Sequence, residues 1–263
     1  MVFYSLVFWR GEHWSNNSGQ DHRQLIISSD RGIANYLFRL IQDRSDPIHR
    51  QRDFHEVQRL SPQMWSYCSR DWEVLRKFID QINLGKAELS NESSNKIRGK
   101  VLYQHLDDWN YRNIAPILPD IDVADHIDGS VFCIRNKRVP ERFWAIADGT
   151  TRIGVSTSKR SKFGIRIAGT HDREDNSNGR LMVKWDTVKL YLMEQNAKVL
   201  ISKNKGFLEA DKDDQDPAQF EFGTLLRGGF MVIETSDESD SAKKLSLKFV
   251  NPEYQGGEIW ELC

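Results

Sequence analysis

The residues best suited to chemistry form a basic segment between positions 135 and 166. This segment holds nine Arg or Lys and two acids, a net charge of +7, in a 263-residue chain whose formal net charge is −1. Such a concentrated positive field, with Phe143 and Trp144 inside it, suits a polyanion and above all nucleic acid. Cations can contact phosphates while Trp144 stacks on a base. The expected phosphate contacts are Arg135, Lys137, Arg138, Arg142, Arg152, Lys159, Arg160 and Lys162.

The centre of this segment is predicted to be a β-hairpin. Residues 152–156 and 163–167 have strand patterns, and the connection 157–162 carries three cations and three hydroxyls. Both kinds of group can hydrogen-bond phosphate oxygens. The alternative is a solvated hairpin whose charges prevent aggregation of sheet edges, with Trp144 in the core. The sequence leaves both interpretations open.

A cluster of carboxylates precedes the basic segment. Residues 120–128 contain four Asp and one His, and two or three carboxylates can form a Mg²⁺ or Ca²⁺ site. The candidate ligands are Asp120, Asp122 and Asp125. The cluster does not follow the EF-hand pattern, so the alternative is a linker with turn-forming aspartates, in which Asp128-Gly129 is typical of a turn. We expect no cofactor except Mg²⁺ under the nuclease alternative given below.

The sequence shows no recognisable catalytic motif. It lacks the nucleophile elbow, the P-loop, the dinucleotide-binding glycine pattern and the H-E-x-x-H zinc motif. The seven histidines show no ligand spacing on a predicted helix, so no zinc site is expected. Cys68, Cys133 and Cys263 have neither paired nor metal-ligand spacing, which favours a reducing, intracellular setting in the cytoplasm or nucleus.

The first half of the chain is predicted to be mainly helical after an opening strand or hairpin. Strand patterns cover 2–9 and 24–28, and the apolar spacing over 30–43 predicts a helix with cap chemistry at 28–30. A second helix is predicted from Ser61-Pro62 to Gly85, and a third over 94–106. The second helix rests on apolar spacings of 3-4-3-4-3 along Trp65, Cys68, Trp72, Leu75, Ile79 and Ile82.

The second half is predicted to consist of short strands joined by polar connections. The fold class is therefore α+β, a helical N-terminal part packed on a C-terminal mainly antiparallel β-sheet or partial barrel. The predicted organisation is 1–117 for the strand and helices, 118–130 for an Asp-rich linker and 131–263 for the β part. The sequence leaves open whether these halves are two domains or one compact unit. The predicted strands are 131–135, 152–156, 163–168, 181–185, 188–193, 198–202, 229–234, 245–250 and 258–262.

These patterns favour a module that binds nucleic acid, RNA or DNA, or another polyanion, through a basic hairpin face and without chemistry of its own. One alternative is a Mg²⁺-dependent nuclease that uses the Asp120–Asp128 carboxylates. Another is a structural or assembly protein, viral or defence-related, that binds a protein partner through aromatic surfaces. No membrane partner is expected, because the apolar run 2–9 is too short to span a bilayer.

Overall fold

Strands dominate the computed structural model of this protein, with 48% of the described residues in strands and 20% in helices. The chain forms two compact units, residues 1–125 and 126–263. The predicted fold class is wrong, because the N-terminal part is not a helical body packed on a sheet; it has its own sheet, and the C-terminal part contains a closed six-stranded barrel. The structure describes residues 2–11, 22–45, 53–106, 124–146, 150–169, 179–194, 197–204, 206–211, 218–235, 244–251 and 256–263.

The first unit is built on a five-stranded sheet. The strands are β1 Phe3–Gly11, β2 Arg23–Ser28, β3 His55–Ser61, β4 Met64–Ser69 and β5 Val101–Leu106. Their order in the sheet is β3-β4-β1-β2-β5. β1 and β4 run parallel, and the other neighbours are antiparallel. The helices of the unit are α1 Arg31–Arg44, α2 Val74–Leu84 and α3 Asn91–Ile97.

The opening prediction of two strands followed by a helix is confirmed. α1 begins after Asp30, whose side chain accepts a hydrogen bond from the backbone N–H of Ile33 at 3.0 Å. This bond satisfies one of the amide groups that a helix start leaves without a partner. Ile33, Leu37 and Ile41 are buried, as their helical spacing predicts.

The predicted helix from Ser61 to Gly85 is wrong in its first half. Residues 55–69 form the β3–β4 hairpin, and Pro62 lies in its turn rather than in a first helical turn. A strand period also fits this stretch, because Trp65 and Tyr67 alternate as a strand requires, and both are buried. The second half is confirmed as α2, which ends at Gly85 in the left-handed conformation with φ of 69°.

The predicted helix over 94–106 is also wrong. α3 ends at Ile97, a turn with Gly99 at φ of 70° follows, and β5 pairs antiparallel with β2. The turn glycine separates two elements that a continuous helical pattern had joined.

The second unit contains a closed barrel and a sheet that extends from it. The strands are β6 Val131–Phe132, β7 Ile134–Asn136, β8 Phe143–Ile146, β9 Ile153–Ser156, β10 Lys162–Ile167, β11 Thr187–Glu194, β12 Ala197–Asn204, β13 Phe207–Asp211, β14 Gln219–Glu221, β15 Arg227–Thr235, β16 Lys244–Phe249 and β17 Glu258–Leu262. The barrel order is β15-β17-β7-β8-β9-β16, and β16 pairs back to β15. The sheet continues from β16 through β13-β12-β11-β10-β6, with β14 on β11 and the short helix α4 Phe222–Leu226 before β15.

Most predicted strands of the second half are confirmed, with one exception. Residues 181–185 form turns and a single bridge between Leu181 and Ile127. The pattern did not reveal β8, β13 or β14.

Aromatic packing fills the interior of the second unit. The Trp144 ring meets Phe163, Phe230 and Trp260 edge to face, with centroid distances of 5.8, 5.0 and 5.5 Å. All four side chains are at most 2% exposed. Among the described residues, no helix is both long and apolar enough to cross a membrane.

Candidate functional site

Strand register brings two parts of the basic segment to one end of the barrel strands β8 and β9. Phe143 pairs with Ser156, and Ile146 pairs with Ile153 at the other end. The turn 137–142, which precedes β8, and the connection 157–161, which follows β9, therefore leave the sheet side by side. These two stretches are 15 or more residues apart in sequence, and the ladder makes them neighbours.

We call the resulting set of side chains the basic surface. Five of its cations are exposed, and two are half-buried beside the half-buried ring of Phe143. The exposed cations are Lys137, Arg138, Lys159, Arg160 and Lys162, and the half-buried cations are Arg135 and Arg142.

The two aromatic residues of the segment point to opposite faces of β8. Trp144 is completely buried, so its ring has no face available to a base. This agrees with the alternative interpretation, which placed Trp144 in the core. Phe143 is aligned across the sheet with Arg135 on β7, and Arg135 is aligned with Glu261 on β17. Residues aligned in this way share a face of a sheet. Phe143 is therefore the aromatic ring that accompanies the cations.

Hydrogen bonds between residues two or three positions apart order both connections of the basic surface. The Asn136 side chain accepts from the backbone N–H groups of Arg138 and Val139, both at 2.9 Å. Ser156 Oγ accepts from the backbone N–H groups of Ser158 and Lys159, at 3.2 and 3.1 Å. These side-chain-to-backbone bonds are typical of tight turns, and they fix the backbone from which the cations project.

The predicted basic hairpin is not formed. β9 pairs with β8 and β16, whereas β10 pairs with β11 and β6. The connection folds back onto β8, because Ser161 donates its N–H to the Trp144 carbonyl at 3.0 Å and accepts from the Ile146 N–H at 3.1 Å. Each strand thus has partners distant in sequence, which the charge pattern could not reveal.

Carboxylates lower the net charge of the basic surface. Glu261 Oε1 lies 2.6 Å from a terminal nitrogen of Arg135, and about a third of each side chain is exposed. Burial raises the pKa of Glu258 above its usual value, and the charges of Arg142 and Arg138 offset only part of this rise. Arg135 therefore contributes less field than the exposed cations, which remain the candidates for an anionic ligand.

Arg152 does not join the other seven cations. It precedes β9 at the end opposite Ser156, where its Nε lies 3.6 Å from a carboxylate oxygen of Glu209. Its guanidinium also lies over the Phe207 ring, 4.9 Å from the centroid. Because Arg152 contacts both Glu209 and Phe207, we assign it a structural role in the second unit.

Only one of the three predicted metal ligands, Asp125, lies among the residues that the structure describes. Asp125 binds two arginines, with Arg59 Nε at 2.5 Å, Arg59 Nη2 at 2.8 Å and Arg31 Nη2 at 3.3 Å. Asp120 and Asp122 lie outside the described residues. Within the ranges that the structure describes, no group of three or more His, Cys, Asp or Glu could hold a metal ion.

The predicted turn at Asp128-Gly129 is confirmed. Gly129 adopts a φ of 80°, and Asp128 Oδ1 accepts the N–H of Ile167 at 2.8 Å.

A second cluster of side chains, which no sequence pattern predicted, lies in the first unit. His22 Nδ1 lies 3.4 Å from His105 Nε2, the His22 ring stacks on Trp72 with centroids 5.0 Å apart, and Trp9 meets His22 edge-on at 5.3 Å. Burial lowers the pKa of His22, and the charge of His105 lowers it further. Only the pairing of β2 with β5 brings these histidines together.

The histidine pair should make the first unit less stable in mild acid. In the folded chain the His22 pKa lies below its unfolded value, so the unfolded chain binds the proton first as pH falls. The urea midpoint of unfolding should therefore rise between about pH 5 and pH 7. Replacement of His22 by Gln should flatten this dependence. An equally steep dependence in the variant would contradict the assignment.

Comparison with known proteins gives no assignment. Neither the protein-family models nor the curated proteins match this chain.

Proposed function

We propose that the second unit binds nucleic acid through the basic surface. The observation that carries the proposal is the pairing of Phe143 with Ser156, which places the turn 137–142 beside the connection 157–161. The two ordered connections then present four exposed cations, and the exposed Lys162 follows at the start of β10. An intracellular setting, where nucleic acid is an abundant polyanion, belongs to the same proposal.

The chemistry of the surface fits a single strand. Arg138 and Arg160 can bind a phosphate through two parallel N–H groups, whereas the lysines act as point charges along the backbone. The Phe143 ring among these cations offers a stacking face to a base. A base in a duplex is already stacked, so this ring favours single-stranded RNA or DNA.

The proposed activity is binding without catalysis. Two carboxylates beside the basic surface already bind residues of the barrel: Glu261 binds Arg135, and Glu258 accepts a hydrogen bond from Asn136. The nuclease alternative has lost support at Asp125, which is held by two arginines. No observation on the described residues favours the assembly alternative.

Replacing Lys159, Arg160 and Lys162 together by Ala should weaken binding to a single-stranded RNA oligonucleotide by about 10-fold or more at low salt. Three phosphate contacts on a single strand contribute about 2 to the magnitude of the slope of log K against log salt concentration. The slope measured for the variant should be smaller by about this amount. Fluorescence anisotropy titrations at several salt concentrations measure both quantities. The variant should therefore show a weaker and less salt-dependent interaction than the parent.

The matched control removes the same charges from the first unit. Arg70, Lys86 and Lys100 are exposed, and their replacement by Ala likewise deletes one arginine and two lysines. This variant should bind as the parent does. Equal losses in both variants would mean that net charge alone governs binding, and an unchanged affinity in the first variant would refute the basic surface. Parallel titrations with single-stranded and duplex DNA test the preference for single strands.

A further inference from the structure

Cys133 and Cys263 are direct neighbours across the β7–β17 ladder. Cys133 donates its backbone N–H to the Cys263 carbonyl at 2.7 Å, and Cys263 donates to the Cys133 carbonyl at 3.0 Å. They extend the ladder by one position beyond the aligned pair Ile134 and Leu262. Both carry thiols, and Cys263 Sγ lies 3.6 Å from the Cys133 carbonyl oxygen.

The backbone geometry of this pair is compatible with a disulfide. Antiparallel residues that exchange both hydrogen bonds have Cα atoms about 5.5 Å apart, within the range of about 4.4–6.8 Å found in disulfides. Their Cβ atoms are about 4.5–5.5 Å apart, slightly more than the roughly 3.5–4.5 Å of a relaxed disulfide. The bond would therefore require a small local twist, and such a strained disulfide is easily reduced.

Both thiols are on a side of the ladder that solvent reaches. Cys263 is exposed and Cys133 is half-buried. Two residues further along each strand, the same face carries the Arg135–Glu261 ion pair. Burial raises the pKa of the Cys263 thiol, and the charges of Arg135 and Arg160 act in the opposite direction. A small thiolate fraction at neutral pH should make oxidation faster as pH rises.

We propose that Cys133 and Cys263 form a reversible disulfide when the protein meets a peroxide. One thiolate attacks a peroxide oxygen, the O–O bond breaks, and hydrogen peroxide yields a sulfenic acid and hydroxide. The second thiolate attacks the sulfenic sulfur, the S–O bond breaks, and hydroxide leaves to become water as the S–S bond forms. Two thiols and one hydrogen peroxide thus give one disulfide and two waters. The proposal goes beyond nucleic-acid binding and stands independently of it.

The disulfide would close a large loop. The two cysteines are 130 residues apart and bracket nearly all of the second unit. A link of this span restricts the unfolded chain strongly, and strain in the native state offsets part of the gain. We expect the thermal midpoint of the second unit to rise by about 5 °C on oxidation and to return on reduction.

The test uses the full chain treated with hydrogen peroxide, alkylated with iodoacetamide and digested without reductant. Mass spectrometry should find a peptide pair joined through Cys133 and Cys263, with only Cys68 alkylated. Excess reduced glutathione should restore three alkylated cysteines. The rise in thermal midpoint should accompany the link.

Two serine variants make the test specific. Cys68→Ser should keep both the link and the thermal shift, whereas Cys133→Ser should lose both. The proposal is overturned if the parent keeps three alkylated cysteines under oxidation. It is equally overturned if its disulfides involve Cys68 or join two chains, or if Cys133 and Cys263 oxidise separately without a bond between them.

Discussion

Trp144→Ala should destabilise the second unit by about 3–5 kcal/mol, the cost typical of deleting a fully buried large aromatic side chain. The ring is completely buried and packs edge to face against Phe163, Phe230 and Trp260. The substitution removes these contacts and leaves a cavity between strands that a closed barrel cannot easily bring together. Urea unfolding followed by circular dichroism measures the loss.

Phe143→Ala provides the control from the same dipeptide. Phe143 is half-buried on the opposite face of β8, so its removal should cost roughly 1 kcal/mol or less. Trp144→Phe keeps an aromatic ring and deletes the indole N–H, for which the described residues offer no hydrogen-bond partner. It should be milder than Trp144→Ala. A Trp144→Ala protein as stable as the Phe143→Ala protein would contradict the assignment of the two faces.

The contrast between Phe143 and Trp144 shows what could be predicted from the sequence. The charge of the segment and the presence of an aromatic pair were evident, but the orientation of the pair depended on recognising β8, a strand of only four residues. Once the strand is known, alternation places one ring inside and one outside. The choice of Trp144 as the stacking residue failed at that step.

Other differences have the same physical origin. In residues 64–69 Trp65 fits both the helical and the strand period, and pairing with β1 decides for the strand. The barrel closes through the pairing of β15 with β16 and β17, and His22 meets His105 across 83 residues. Local patterns contain no signal for such contacts, whereas α1 and most C-terminal strands follow from local pattern and were predicted.

Asp125→Asn should destabilise the first unit by about 3–5 kcal/mol. Both carboxylate oxygens accept from Arg59, whose side chain is 11% exposed, and one also lies 3.3 Å from Arg31. Arg59 in turn donates to Asn35 Oδ1 at 2.8 Å and lies over the Phe38 ring. Loss of the carboxylate charge leaves the mostly buried Arg59 guanidinium without its carboxylate partner, which costs far more than the pair itself contributes.

Asp53→Asn is the matched control in the same unit. The Asp53 side chain is 55% exposed and lies 4.0 Å from Arg44, so its loss should cost about 1 kcal/mol or less. The sign of the Asp125 effect also separates two roles. A carboxylate of an empty metal site is repelled by its fellow ligands, and its neutralisation stabilises the metal-free protein. A carboxylate that compensates arginines destabilises when neutralised. Urea unfolding in EDTA distinguishes the two roles. If Asp125→Asn is as stable as the parent protein or more stable, the ion-pair role is refuted and Asp125 is again a candidate metal ligand.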